Sequence, residues 1–257
     1  MKLLGESTLR LSLLGGFEVR VGEQSITQFD SDKARALLAY LVMEGDRAHR
    51  RQTLSYLFWS DYPEAQALKN LRQTLYRLTQ AFAASLPDGV TLLQITPQDV
   101  RLNPQLVIDS DYHRFRQLLG EANAHLHRRL TLCPLCLQKL DQAVALFRGN
   151  LLSGLSLHGS AAFEDWLFER REELVDQTLN ALTALTQAAG RRGDHLAVRR
   201  YAYKQIHLSA IDETAYRQLM RSLAQDGQRN AALAHYKTLK RQLRSELGIE
   251  PMAETTA

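Results

Sequence analysis

Two cysteines and two histidines lie close together in the sequence, in a pattern that can hold a metal ion. His125 and His127 precede Cys133 and Cys136, giving H-x-H-x5-C-x2-C. Thiolate sulfur and imidazole nitrogen are ligands that Zn²⁺ binds in tetrahedral geometry. Because positions i and i+2 of a helix point apart, we expect one of the two histidines to bind. The pattern predicts a structural zinc site, while two metal-free buried thiols or a redox pair would fit the same residues.

A second group of side chains lies on a predicted helix, LKNLRQTLYRLTQAF, which begins at Leu68. Its large apolar residues recur every three or four positions, the spacing of one face of an α-helix. These residues are Leu68, Leu71, Leu75, Leu78 and Phe82. No Asp or Glu occurs between Ala65 and Pro87, whereas most surface helices mix both signs of charge. The polar faces therefore carry positive charge, amides and an aromatic ring.

Such a helix has the side chains that bind double-stranded DNA. Arg and Lys neutralise phosphates, while Arg, Gln and Asn can form paired hydrogen bonds with base edges. The DNA contacts predicted on the helix are Lys69, Asn70, Arg72, Gln73, Tyr76, Arg77 and Gln80. The contacts predicted to the DNA backbone or minor groove from flanking segments are Lys33, Arg50, Arg51, Thr96 and Gln98. The alternative is an exposed basic face that binds nothing.

The segments around this helix are predicted to form a winged helix. Alternating residues in LRLSLLGGFEVRVGEQSIT, punctuated by glycines, predict short antiparallel strands. Ser31 or Asp32 is expected to cap a first helix that Gly45 ends, and RRQTLSYLFW predicts a second helix. After the third helix, two strand-like runs flank the turn TPQD and predict a hairpin. In a winged helix, with this order of elements, the third helix enters the major groove.

The chain after about Asp109 is predicted to be entirely helical. The expected helices are 111–127, 134–148, 161–189, 194–208, 212–226 and 229–246. Gly193 and Gly227 lie 34 residues apart, and Leu185 and Leu219 match at the same offset. A helix–turn–helix period of 34 residues is typical of tetratricopeptide repeats. A plain helical bundle is the alternative.

Composition and missing motifs favour a binding protein over an enzyme. The chain has 257 residues, 45% hydrophobic and 23% charged, with a formal net charge of +4. Its two closely spaced cysteines are unlike a secreted disulfide scaffold, so we expect a cytoplasmic protein. We find no signal peptide, no apolar run of transmembrane length, and no GxxxxGK(S/T), HExxH or GxSxG motif. We therefore predict no catalytic residues, no membrane partner and no required cofactor, with the structural zinc site as one alternative for the cysteine cluster.

Several segments resemble bacterial transcription regulators. LRLSLLGGFEVRVG, DKARALLAYL, NLRQTLYRL and VRLN resemble the N-terminal half of SARP-type regulators, which is similar to the winged helix of OmpR-type response regulators. ALFRGNLLSG, FEDWLFERRE and RSLAQDGQRNAALAHYKTLKRQLRSELGIEP resemble the bacterial transcriptional activator domain, which is tetratricopeptide-like. The resemblance implies a mainly α fold: a winged helix with a small β-sheet and a wing hairpin at 1–108, then an all-α domain at 109–257. It assigns the recognition helix to 63–82, with Arg77 facing DNA, and the wing to 90–103.

The resemblance also implies partners. They are double-stranded DNA and RNA polymerase or its σ subunit. We add the hypothesis that two copies bind direct repeats about one helical turn apart, roughly 10.5 bp, as a homodimer on DNA. Family members often continue into a nucleotide-binding NTPase module and further repeats; the sequence leaves open whether the natural protein extends beyond residue 257. The alternative function is a tetratricopeptide-type scaffold, or a regulatory module of a larger NTPase-containing protein.

Overall fold

A computed structural model describes residues 8–45, 47–126 and 129–256, which form parts of two compact units. The first unit comprises Met1–Arg116 and Leu146–Glu173. The second comprises Gln117–Ala145 and Leu174–Ala257. The predicted boundary at 108/109 divides the chain into two continuous segments. Each compact unit instead contains two separate segments, because 146–173 packs into the first unit.

The N-terminal strands of the first unit form a four-stranded sheet. Its strands are β1 (Thr8–Ser12), β2 (Glu18–Val21), β3 (Gln24–Ser25) and β7 (Val107–Ser110), in the order β3-β2-β1-β7. The antiparallel pairing of β1 with β2 and of β2 with β3 confirms the predicted strands. Strand alternation turns Leu9 and Leu11 toward the core. The parallel pairing of β7 with β1, which sets Leu9 opposite Ile108, was not predicted.

Three helices follow at the predicted places. They are α1 (Asp32–Met43), α2 (Arg51–Trp59) and α3 (Glu64–Ala83). Ser31 caps α1, since its side chain accepts a hydrogen bond from the N–H of Ala34 at 3.3 Å. Gly45 has a φ of 81°, a left-handed conformation that suits glycine just after a helix end. The prediction that Arg50 begins the second helix was one residue early, because Arg50 pairs in a strand.

A second sheet carries the predicted hairpin. Its strands are β4 (His49–Arg50), β5 (Leu93–Ile95) and β6 (Asp99–Leu102), in the order β4-β6-β5. The hydroxyl of Thr96 accepts hydrogen bonds from the N–H groups of Gln98 and Asp99, at 3.3 and 2.9 Å, and so closes the turn. Strand β4 pairs with β6, which fastens the segment before α2 to the hairpin.

An aromatic cluster forms part of the core of the first unit. The rings of Phe58 and Phe163 lie 5.0 Å apart between centroids, and so do the rings of Tyr40 and Trp166. Phe163 and Trp166 belong to FEDWLFERRE, far from the other two residues in sequence. The buried ring of Phe163 and the contact of Trp166 with Tyr40 explain why 146–173 packs with the N-terminal elements.

Two of the turns between the remaining helices have the same backbone hydrogen bonds. The elements are α4 (Asp111–Ala124), a 3₁₀ turn (Leu130–Leu132), α5 (Pro134–Leu146), α6 (Ala161–Arg191), α7 (His195–Leu208), α8 (Glu213–Gln225), α9 (Arg229–Glu246) and α10 (Ala253–Thr256). The N–H of Gly193 bonds to the carbonyl of Gly190, and the N–H of Gly227 bonds likewise to that of Ala224. These bonds repeat at an offset of 34 residues, so the tetratricopeptide-like period is present in the backbone. Six of the helices match the predicted ones, whereas α10 was not predicted.

Candidate functional site

The third helix has one buried face and one polar exposed face. The buried residues are Ala67, Leu71, Leu75, Leu78 and Phe82. The predicted apolar stripe is confirmed from Leu71 onward, while Leu68 is only half-buried and Ala67 takes the inner position. The exposed side chains include Lys69, Arg72, Gln73, Tyr76, Arg77 and Gln80. The helix is therefore anchored by its apolar side and offers its polar side to solvent.

Three of the exposed residues are available for a ligand. Arg72, Gln73 and Tyr76 make no side-chain hydrogen bond or ion pair with other described residues, and Tyr76 is 64% exposed. A guanidinium, an amide and an aromatic ring one turn apart can donate to base edges or phosphates and pack against sugar or base. This face of α3 is the candidate nucleic-acid interface.

Two predicted residues of α3 already have partners in the chain. Arg77 forms an ion pair with Asp30, which precedes α1. The amide oxygen of Asn70, which is half-buried, accepts a hydrogen bond from Gln66 at 2.8 Å. Sequence reasoning missed Asp30 because it lies 47 residues before Arg77. The acid-free segment 65–87 therefore contacts an acidic residue, Asp30, from another part of the chain.

The start of α2 is tied to the hairpin turn. The Arg50 side chain donates to the side-chain oxygen of Gln98 at 3.0 Å and lies 3.4 Å from Asp99. The backbone N–H of Arg51 donates to the carbonyl of Gln98 at 2.9 Å, and its side chain donates to that of Thr96 at 3.3 Å. The structure therefore brings together Arg50, Arg51, Thr96 and Gln98, four predicted contact residues.

Lys33 is held inside the first unit. Its ammonium donates to the carbonyl of Phe58 at 2.8 Å and lies 5.2 Å from the centre of the Trp59 ring. Burial lowers the pKa of Lys33, and the nearby carboxylate of Asp61 opposes that shift. Because the ammonium group of Lys33 is engaged by these residues of its own chain, Lys33 is not part of the candidate interface.

An exposed tyrosine on α2 was not predicted as a candidate. Tyr56 is 68% exposed and lines a groove of ≈ 250 Å³ with Gln52 and Tyr62. Glu64, in the first turn of α3, lines the same groove. In the sequence, Tyr56 is one of three aromatic residues in RRQTLSYLFW, and nothing there marks it as the exposed one.

The predicted metal ligands converge in the second unit. The Nδ1 atom of His125 lies 3.5 Å from Sγ of Cys133 and 3.2 Å from Sγ of Cys136. The three ligand atoms all lie within 4.8 Å of one another. The two cysteines are not joined in a disulfide. His127, the other predicted ligand, lies outside the described residues.

The two thiols differ in their surroundings. A hydrogen bond from the backbone N–H of Cys136 lowers the pKa of Cys133, because it stabilises the thiolate. Burial raises the pKa of Cys136, because the charged form is costly without water. Cys133 directly precedes α5, a position where the helix dipole also favours a thiolate.

A family model matches more than half of the chain. Residues 110–257 match the bacterial transcriptional activator domain. The chain belongs to this family. The activator domain begins where β7 ends, and the metal-ligand cluster lies within it, whereas α3 and the hairpin precede it. The family is one of transcription regulators.

A solved structure resembles both parts of the chain. Mycobacterium tuberculosis EmbR, in complex with a low affinity phosphopeptide, matches with a TM-score of 0.66 and 21% sequence identity. The match covers 96% of this chain and 63% of EmbR, so it includes the elements before the activator domain. It supports the mainly helical fold with small N-terminal sheets. No curated protein sequence matches the chain, and no helix among the described residues is long and apolar enough to cross a membrane.

Proposed function

We propose that this protein is a sequence-specific DNA-binding transcriptional activator of the SARP type. In this proposal α1–α3 and the hairpin act as an OmpR-type winged helix, and α3 enters the major groove. The observation that carries it is the exposed polar face of α3, opposite a stripe of buried leucines. Transcription regulation itself follows from the family.

We assign different roles to residues on and beside α3. Arg72 and Gln73 read base edges, because both side chains can form two hydrogen bonds with one base. Lys69 neutralises a phosphate, since an ammonium is a point charge without a planar fork. The turn residues Thr96 and Gln98 form the wing and contact the DNA backbone. Arg50 holds the wing turn and adds positive charge there.

The activator domain is proposed to contact RNA polymerase or its σ subunit. Two copies would bind direct repeats spaced by about one helical turn, roughly 10.5 bp. EmbR is described with a phosphopeptide, but this chain spans 63% of EmbR, and an identity of 21% supports only the fold. A phosphopeptide is therefore not part of the proposal.

The first test is selection of bound DNA from a random pool. We expect enrichment of a motif repeated at about one helical turn. Affinity for that motif should fall by ~10³–10⁵ between 50 and 200 mM salt if ~6–10 phosphates are neutralised. No enrichment, with an affinity that salt does not change, would reject DNA binding and favour the scaffold.

A matched pair of variants locates the interface. Arg72→Ala should weaken binding by about 1–3 kcal/mol and relax specificity at one base position. Arg20→Ala removes the same charge from another exposed arginine, on β2 and outside α3 and the hairpin, and should leave binding unchanged. Equal affinities for Arg72→Ala and the wild type would remove α3 from the mechanism, even if the protein still bound DNA.

A further inference from the structure

The ligand atoms of His125, Cys133 and Cys136 are spaced like those around a single metal ion. With Zn–S bonds of about 2.3 Å and Zn–N bonds of about 2.0 Å, tetrahedral geometry separates sulfur from nitrogen by about 3.5 Å. The two sulfur–nitrogen separations here are 3.5 and 3.2 Å. The same geometry places two sulfur atoms about 3.8 Å apart, and Sγ of Cys133 lies within 4.8 Å of Sγ of Cys136. The spacing therefore needs only small adjustments for an ion to enter.

The backbone around the cluster prepares the two thiols for a metal. Cys133 has an extended backbone, with φ of −94° and ψ of 106°, and its carbonyl accepts the first hydrogen bond of α5 from Leu137. The backbone N–H of Cys136 donates to the sulfur of Cys133. Both sulfurs thus lie at the first turn of one helix, where unpaired N–H groups favour negative charge.

The cluster lies at the edge of the apolar core of the second unit. Cys136 is 1% exposed and packs with Ala122, Leu140 and Tyr201 in the apolar core of the second unit. His125 is exposed and follows the end of α4 directly. The ligands therefore come from the ends of two helices, since His125 follows α4 and the two cysteines lie at the start of α5. Cys136 is buried, Cys133 is half-buried and His125 is at the surface.

We propose that His125 Nδ1, Cys133 Sγ and Cys136 Sγ bind one Zn²⁺ ion that joins the end of α4 to the start of α5. Soft sulfur ligands with an imidazole select zinc over magnesium or calcium, which prefer oxygen. Binding displaces one proton from each thiol, and the two thiolates then balance the charge of the ion. Three donors leave the fourth tetrahedral position for a water molecule or another donor. The inference does not depend on DNA binding.

A disulfide or a pair of inert thiols accounts for less of the geometry. Neither requires an imidazole nitrogen within 3.5 Å of both sulfurs. A disulfide would also need an oxidant that the proposal does not require. The convergence of the third donor is the observation that favours a metal.

The experiment is elemental analysis of the full chain, purified without chelator and with any affinity tag removed. We expect about one zinc per chain, and about one zinc released when an organomercurial modifies the thiols of the wild-type protein. Cobalt substitution should give the strong visible absorption of a tetrahedral site with thiolate ligands. A zinc content near zero, with no cobalt absorption after reconstitution, would overturn the proposal.

Variants assign the ligands. Cys133→Ser, Cys136→Ser and His125→Ala should each lose zinc and the cobalt spectrum. His207→Ala is the matched control, because His207 is exposed on α7 and outside the cluster, and it should keep the full zinc content. Circular dichroism checks that each variant is folded. Zinc release by the organomercurial is measured on the wild-type protein, so it tests whether the thiols bind zinc even if a cysteine variant does not fold. Full zinc retention by His125→Ala would overturn the assignment of the imidazole.

Discussion

Asp30 and Arg77 form an ion pair that joins the segment before α1 to the exposed face of α3. Both side chains are nearly half exposed, at 46% and 45%. A pair in that setting contributes about 0–1 kcal/mol to folding. Its larger effect is on the proposed interface, because it places a carboxylate beside a guanidinium that DNA would otherwise attract.

Asp30→Asn should strengthen DNA binding. The change removes one negative charge from the interface and frees Arg77 for a phosphate, so we expect up to about a fivefold gain in affinity, equivalent to about 1 kcal/mol. Fluorescence anisotropy of a labelled operator measures it. Glu23→Gln is the control, because it removes a carboxylate that pairs with Arg20 away from α3. Weaker binding by Asp30→Asn than by wild type would show that the carboxylate orients Arg77 for DNA instead of competing with DNA.

Neighbouring residues on α3 should separate folding from binding. Leu75 is buried, so Leu75→Ala should lower the free energy of unfolding by about 2–5 kcal/mol. Tyr76 is exposed, so Tyr76→Ala should change the free energy of unfolding by less than about 0.5 kcal/mol while weakening DNA binding. Urea unfolding and anisotropy on the same samples measure both quantities. If Tyr76→Ala binds DNA like the wild type, the tyrosine is not a contact residue.

Local signals in the sequence were enough to predict most elements of the fold. The cap at Ser31, the stop at Gly45 and the leucine spacing of α3 each depend on residues within a few positions of one another. The 34-residue offset of Gly193 and Gly227 also predicted the two equivalent turns, because a repeated period can be read directly from the sequence.

Long-range pairings were missed. The parallel pairing of β7 with β1 sets Leu9 opposite Ile108, and no turn or periodicity in one segment points to the other. Trp166 packs on Tyr40 although the two lie in distant parts of the chain. At the candidate interface, the leucine spacing predicted which face of α3 is buried and which face is exposed. It could not predict the pairing of Arg77 or the inward contacts of Lys33, because both depend on tertiary packing.

His49 should make the protein less stable as the pH falls. The side chain is buried on β4, and its Nε2 atom has no hydrogen-bond partner among the described residues. Burial lowers the pKa of His49, and Arg47 lowers it further while Glu44 opposes the shift. The unfolded chain therefore binds the proton first, near pH 6.5, and stability falls as the pH drops from there toward the lower folded pKa.

The measurement is the midpoint of urea unfolding between pH 8 and pH 5, for wild type and His49→Gln. We expect a steeper loss of stability in wild type, because the glutamine does not titrate. His207→Gln removes an exposed histidine and should follow the wild-type curve. Parallel curves for wild type and His49→Gln would assign the pH dependence to other groups.

Glu213 should hold the last helix of the second unit in place. The carboxylate of this residue, only 9% exposed on α8, accepts hydrogen bonds from the N–H of Met252 at 2.9 Å and from the hydroxyl of Thr255 at 2.6 Å. Glu213→Ala removes the acceptor of the buried Thr255 hydroxyl and of the Met252 N–H, which should cost about 1–3 kcal/mol and release α10. Hydrogen exchange at Thr255 and Thr256 should then become faster, while α7 keeps its protection. Glu254→Ala alters an exposed residue of α10 and should leave exchange unchanged. Because these two hydrogen bonds join Glu213 to Met252 and Thr255, an equal rise in exchange across α8 and α9 would instead mean that Glu213 supports the whole helical unit.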